Sequence, residues 1–182
     1  MRTIAVLAVL TASTSAFADS RTAAEFFLKT CLPAMDDLPN IEIMAREDNW
    51  TVKRAPPSLL ADNRFRSSRS IWDVTKSEEK FSVDAWINHV GQQDYNVCFV
   101  RFLSGNVNRE EFLSAITASL ELTLFSDTRF AQPPSRNEYY DIKSDRPNPI
   151  QLGIISQPDS SVTVSSITEK LRFAIPVPAA RP

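Results

Sequence analysis

The sequence predicts an α+β domain, with helices packed on a mainly antiparallel sheet and one disulfide tying the two layers. Three observations point there. Apolar residues recur at helical spacing in residues 20–49 and again from Asn108, whereas residues 70–103 and 138–167 alternate with period two. Runs of strands separated by one strong helix suit segregated layers rather than a parallel βαβ array. Two cysteines are present, at positions 31 and 98, and each falls on a predicted apolar face.

Residues 1–18, "MRTIAVLAVLTASTSAFA", have a charged start at Arg2, an apolar run from Ile4 to Leu10 and an Ala-Phe-Ala end. That is the pattern of a secretory signal peptide, with cleavage after Ala18. The expectation is therefore a periplasmic or secreted protein, with residues 19–175 forming one domain and 176–182 an extended Pro-rich tail.

The first helix spans "DSRTAAEFFLKTCL", where Ala24, Phe27, Leu28 and Cys31 share a face and Pro33 limits its length. Asp36 or Asp37 caps the second, which carries Pro39 in its first turn and buries Ile41, Met44 and Ala45 before ending near Asn49. Trp50 and Val52 start a short extended segment, and residues 53–70 read as a loop. "SIWDVT", "KFSVDAWINHV" and "YNVCFVRFL" then form a three-stranded meander. "NREEFLSAITASLELTLF" reads as one long helix, capped by Asn108, with Phe112, Ala115, Ile116, Leu120 and Leu124 on its buried stripe. After a break at residues 132–135 come the strands "EYYDIKS", "IQLGIIS" and "SVTVSSI", with "KLRFAI" as a fourth. The predicted order is ααβββαβββ(β). "IWDVTKS" and "YYDIKS" echo one another, although six residues alone favour coincidence over duplication.

The cysteines admit two readings. An exported chain with two cysteines most simply closes one disulfide, Cys31–Cys98, worth roughly 4 kcal/mol in the chain-entropy model for a loop of that length. The alternative is a cysteine nucleophile with His89, the single histidine, as base. Cys31 lies at the C-terminal end of its helix and Cys98 within an apolar strand, and both settings oppose a thiolate. The disulfide is the better reading.

Other chemistry is sparse. Three scattered glycines make no phosphate-cradling loop, one histidine makes no His-rich zinc site, and no CxxC pair or G-x-S-x-G elbow is present. No cofactor is expected. The carboxylate pairs Asp36-Asp37, Glu78-Glu79 and Glu110-Glu111 are explained by helix starts and a turn. A net charge of −2 favours no nucleic acid. Lys53, Arg54, Arg64, Arg66 and Arg69, set against Asp62 alone, form a candidate patch for an anionic envelope partner. Trp50, Trp72, Trp86, Tyr139 and Tyr140 are aromatic enough to line a pocket but suit packing as well.

"FFLKTCL", a short second helix ending in "NW", and "NVCFVRF" before a capped helix together resemble small exported proteobacterial proteins of unknown function. Cys98 and Val100 fit the Cys-x-Val strand of that pattern. The resemblance implies bacterial export and an α+β fold, and carries no activity. The functional expectation is a non-enzymatic envelope binding protein with no membrane span. The alternative is an envelope hydrolase using His89 and a carboxylate.

Overall fold

A computed structural model describes residues 20–53, 68–76, 79–90, 93–103, 107–146 and 148–169. The expected signal peptide, tail and "KLRFAI" strand lie outside these residues. Three helices, α1 (Ser20–Ala34), α2 (Pro39–Glu47) and α3 (Arg109–Thr117), accompany nine strands. The strands are β1 (Thr51–Lys53), β2 (Ser68–Lys76), β3 (Glu79–Val90), β4 (Gln93–Phe102), β5 (Val107–Asn108), β6 (Leu122–Ala131), β7 (Pro134–Ile142), β8 (Ile150–Ser156) and β9 (Ser161–Glu169). They form one antiparallel sheet in the order β1-β2-β3-β4-β9-β8-β7-β6, with β5 added beside β9. The described chain is thus mainly β, with more strands than the sequence pattern suggested.

The expected meander is present with its register set by burial. Phe81, Val83 and Ala85 of β3 lie opposite Phe102, Val100 and Cys98 of β4, and all six are buried in the core beneath the helices. Alternation of this kind fixes register, because a one-residue slip would turn every one of these side chains to the other face. In α1, Ala24, Phe27 and Cys31 are fully buried, as the helical spacing implied. Cys31 and Cys98 form the disulfide, with Cα atoms 5.3 Å apart, so the first helix is bonded to a central strand.

Three expectations need correction. α2 has Leu38 at its N-cap position with no side-chain cap hydrogen bond, so neither Asp36 nor Asp37 caps it. The loop assigned to residues 53–70 gives way to strand by Ser68, where β2 begins pairing with β3. The long central helix stops at Thr117. Its last four residues, 122–125, become the start of β6, and Leu124, expected in the buried stripe, is 53% exposed opposite Tyr140. Leu120 and Leu124 satisfy helical spacing, but with Leu122 between them they satisfy period two as well, and the β-favouring Thr123, Phe125 and Thr128 extend the strand pattern. Residues 132–133 are consequently the turn of a β6–β7 hairpin.

Asn108 caps α3 as expected, its Oδ1 accepting from the backbone N–H groups of Glu110 and Glu111 at 2.9 and 3.1 Å. The reciprocal partner differs from a capping box: the Asn108 N–H donates to Ser20 Oγ at 3.0 Å. The start of α3 is thereby pinned to the start of α1.

Strand order and register match in the two halves of the sheet about the β4–β9 junction. At the β4–β9 junction Phe99 lies opposite Ser166, flanked by Cys98 opposite Ile167 and Val100 opposite Ser165. Outward from it, Val100, Val83, Trp72 and Val52 form one row, and Ile167, Leu152, Tyr140 and Leu124 form its counterpart. The "IWDV" of β2 and the "YYDI" of β7 sit at equivalent places.

Candidate arginine cavity

The β6–β7 hairpin has an unusual charge pattern. Its register sets Asp127 opposite Glu138 and Arg129 opposite Arg136. Like charges directly opposite destabilise a strand pair unless other groups answer them. Diagonal and tertiary contacts supply part of the answer. Arg136 donates to Asp127 from Nε and Nη2, at 3.0 and 2.8 Å, and its Nη2 lies 3.1 Å from Glu138 Oε1. Arg109, the first residue of α3, donates from Nε and Nη2 to both oxygens of Glu138. The Tyr140 hydroxyl donates to Glu138 at 2.9 Å.

Glu138 is 1% exposed, so this is a buried carboxylate whose ionisation depends on its neighbours. Burial pushes its carboxyl up. Hydrogen bonds from Arg109 and Tyr140, with the charges of Arg109 and Arg136, outweigh that and hold it below the ordinary 4.5. The hydrogen bond to Glu138 raises Arg109 above the usual arginine range. Burial and the bond to Glu138 push Tyr140 up. The bidentate contact with Arg136 lowers Asp127.

Beside this network lies a cavity of about 310 Å³, lined by Arg109, Arg129, Arg136 and the hydroxyl-bearing Ser135, Ser156 and Ser160. Its far wall is the β8–β9 turn. That turn is held by a Ser160 N–H to Gln157 carbonyl bond at 3.0 Å, and by Asp159, which accepts from the Ser161 N–H and hydroxyl. The Arg109 N–H donates to the Ser160 carbonyl at 2.8 Å and joins this turn to α3. Three guanidinium groups therefore face two carboxylates. Arg129 makes no hydrogen bond or ion-pair contact among the described residues. The site offers donors and a residual positive charge, which suits a carboxylate, phosphate or sulfate group.

A larger hollow of about 490 Å³ lies between α2 and strands β1 and β2. Two of the three cations that line it are already answered: Lys53 pairs with Asp73 at 2.7 Å and Arg69 with Asp84 at 2.6 Å, and Arg46 is the third. Arg69 also lies over the Trp86 ring at 5.3 Å, and Trp86 stacks on Phe99. These two are the described members of the basic patch read from the sequence; Arg54, Arg64 and Arg66 lie outside the described residues. Trp50 and Trp72 are core, packed edge to face at 6.3 Å. Tyr139 covers Gly153, where an added Cβ would lie 3.2 Å from its ring. His89 is in β3, in register with Asp94, and its side chain lies outside the described set.

Sequence reasoning missed Arg109, Arg129, Arg136 and Glu138. The available signal was the mirrored pattern Asp127-x-Arg129 and Arg136-x-Glu138 about the turn at residues 132–133, hidden by reading the start of β6 as helix. Among the described residues no group of three or more His, Cys, Asp or Glu side chains could hold a metal ion. Among the same residues no helix is long and apolar enough to cross a membrane. No protein-family model, curated protein or solved structure matches the chain.

Proposed function

We propose that this is an exported, non-enzymatic binding protein of the bacterial envelope that holds an anionic group of its partner in the arginine cavity. One observation carries the reading: Arg129 faces Arg136 across the hairpin, shares only the longer-range charge of Asp127 and makes no ion-pair contact among the described residues, beside a hollow also lined by Arg109. An anion seated there would relieve the opposed charges and gain charge-assisted hydrogen bonds from donors fixed by the fold. The disulfide is compatible with export. Binding suits the cavity better than acid–base catalysis, because Glu138 and Asp127 are shifted down and Arg109 and Tyr140 up, all away from neutral pH.

The test is calorimetric titration with glutarate and with inorganic phosphate at low ionic strength. Saturable binding to the wild type, weakened at least tenfold in Arg129→Ala, is expected. Absence of binding for both anions, or equal binding by the variant, would contradict the proposal.

A further inference from the structure

Resting on the arginine-cavity reading, we infer that the partner is an extended acidic peptide that adds as a strand to the outer edge of β6 and presents a carboxylate to Arg129. β6 is the terminal strand of the described sheet, with β7 as its one strand neighbour among the described residues, so the outer backbone groups of Ser126 to Ala131 have no partner strand there. Natural edges are commonly blunted by charged side chains, lysine above all, by proline, bulges or short length. β6 carries Asp127, which is paired with Arg136, and Arg129, but it is ten residues long, contains no lysine or proline, and exposes Leu124, Phe125 and Phe130. Its one irregularity is a bulge between Leu124 and Ser126, which leaves Ser126 to Ala131 as a regular edge.

Edge and cavity are continuous through a single residue. Arg129 belongs to the regular part of the edge and also lines the cavity. Directly opposed residues of paired strands share a face. An acidic side chain opposite Arg129 on an added strand would therefore point to the Arg129–Arg136 side of the sheet. Its apolar neighbours in sequence would fall on the face of Thr128 and Phe130, of which Phe130 at the hairpin end also lines the cavity. The chemistry specified is an alternating segment with apolar residues on one face and a carboxylate on the other.

A second copy of the chain is the competing occupant. Antiparallel pairing of two β6 strands about Thr128 would set Asp127 of one opposite Arg129 of the other. That carboxylate is already held by both arms of Arg136, so it offers Arg129 less than a fresh one does. The bulge would also confine regular self-pairing to about five residues per strand.

The experiment measures binding of a fluorescent acetyl-Val-Thr-Val-Glu-Val-Thr-Val-amide peptide to the intact protein by anisotropy. Three arms accompany it: the Gln-for-Glu twin, a version N-methylated along one edge, and the Arg129→Ala variant. The Glu peptide is expected to bind at least tenfold tighter than both the twin and the N-methylated version, and Arg129→Ala should erase the Glu/Gln difference. Equal binding of the Glu and Gln peptides, or a difference that survives Arg129→Ala, would overturn the carboxylate contact. Undiminished binding of the N-methylated peptide would overturn strand addition and leave the cavity reading standing, since glutarate reports on the cavity alone. Failure of glutarate with all peptide arms as expected would do the reverse. Sedimentation showing a dimer that Arg129→Ala dissolves would give the edge to a second copy and overturn the proposal.

Discussion

The two halves of the sheet share one row of residues and part company in the next. Val52, Trp72, Val83 and Val100 in the first half occupy the places of Leu124, Tyr140, Leu152 and Ile167 in the second, so the common row is apolar or aromatic throughout. In the adjoining row Ser70, Ala85 and Cys98 correspond to Glu138, Ile154 and Ser165. The first half uses that row for a covalent tie to α1. The second places a buried carboxylate there, which draws in Arg109 and Arg136 and borders the cavity. The scaffold is repeated, while the chemistry sits where the repeat is broken.

Substitutions at equivalent positions sharpen this contrast. The largest effect is expected at Glu138→Leu, which strands the Arg109 guanidinium, 15% exposed, without its partner. Loss of one member of a buried pair costs about 3–5 kcal/mol, readable by urea denaturation. Ser70→Ala at the matching position should change stability by less than about 0.5 kcal/mol. Comparable losses at the two sites would break the comparison.

Replacing both cysteines by alanine is expected to cost about 2–4 kcal/mol. Ser165→Ala, at the position matching Cys98, removes one hydrogen bond to the Gly153 carbonyl and should cost about 1 kcal/mol. At Gly153 itself, which corresponds to Asp84, an added Cβ would lie 2.6 Å from Ser166 Oγ as well as close to Tyr139. Gly153→Ala should therefore destabilise by about 1–3 kcal/mol, with Ser166 shifting to make room.

Acid sensitivity should be a property of the second half. The Glu138 carboxyl is held below its ordinary 4.5 in the folded protein, so its stabilising contribution is present above that value. It is lost as pH falls through the lower folded value. The acid limb of a denaturation–pH profile should flatten in Glu138→Gln, and an unchanged limb would assign the sensitivity elsewhere.

The first half was more legible in sequence than the second, for physical reasons. Strands β3 and β4 each set an apolar row toward the helices, Phe81, Val83 and Ala85 opposite Phe102, Val100 and Cys98, and that row announces both strands and places Cys98 in the core. Strand β8 has the bounds of "IQLGIIS", and β9 begins with "SVTVSSI" and continues to Glu169. β6 buries little, so its apolar residues carry no clear period, and its Leu124 joined the expected helical stripe of α3. Once that strand was lost, Arg129 and Arg136 had no register to bring them together. Arg109 is 29 residues from Glu138 and meets it only through the packing of α3 on the sheet.

The central claim, that the broken repeat forms an anion site around Arg129, is tested most directly by the arginine Nε–Hε resonances of labelled protein during a glutarate titration. The account predicts a saturable shift at Arg129, with Arg109 Nε already committed to Glu138 and moving little. A titration that leaves Arg129 unmoved, or moves it no more than the exposed Arg101, would contradict it.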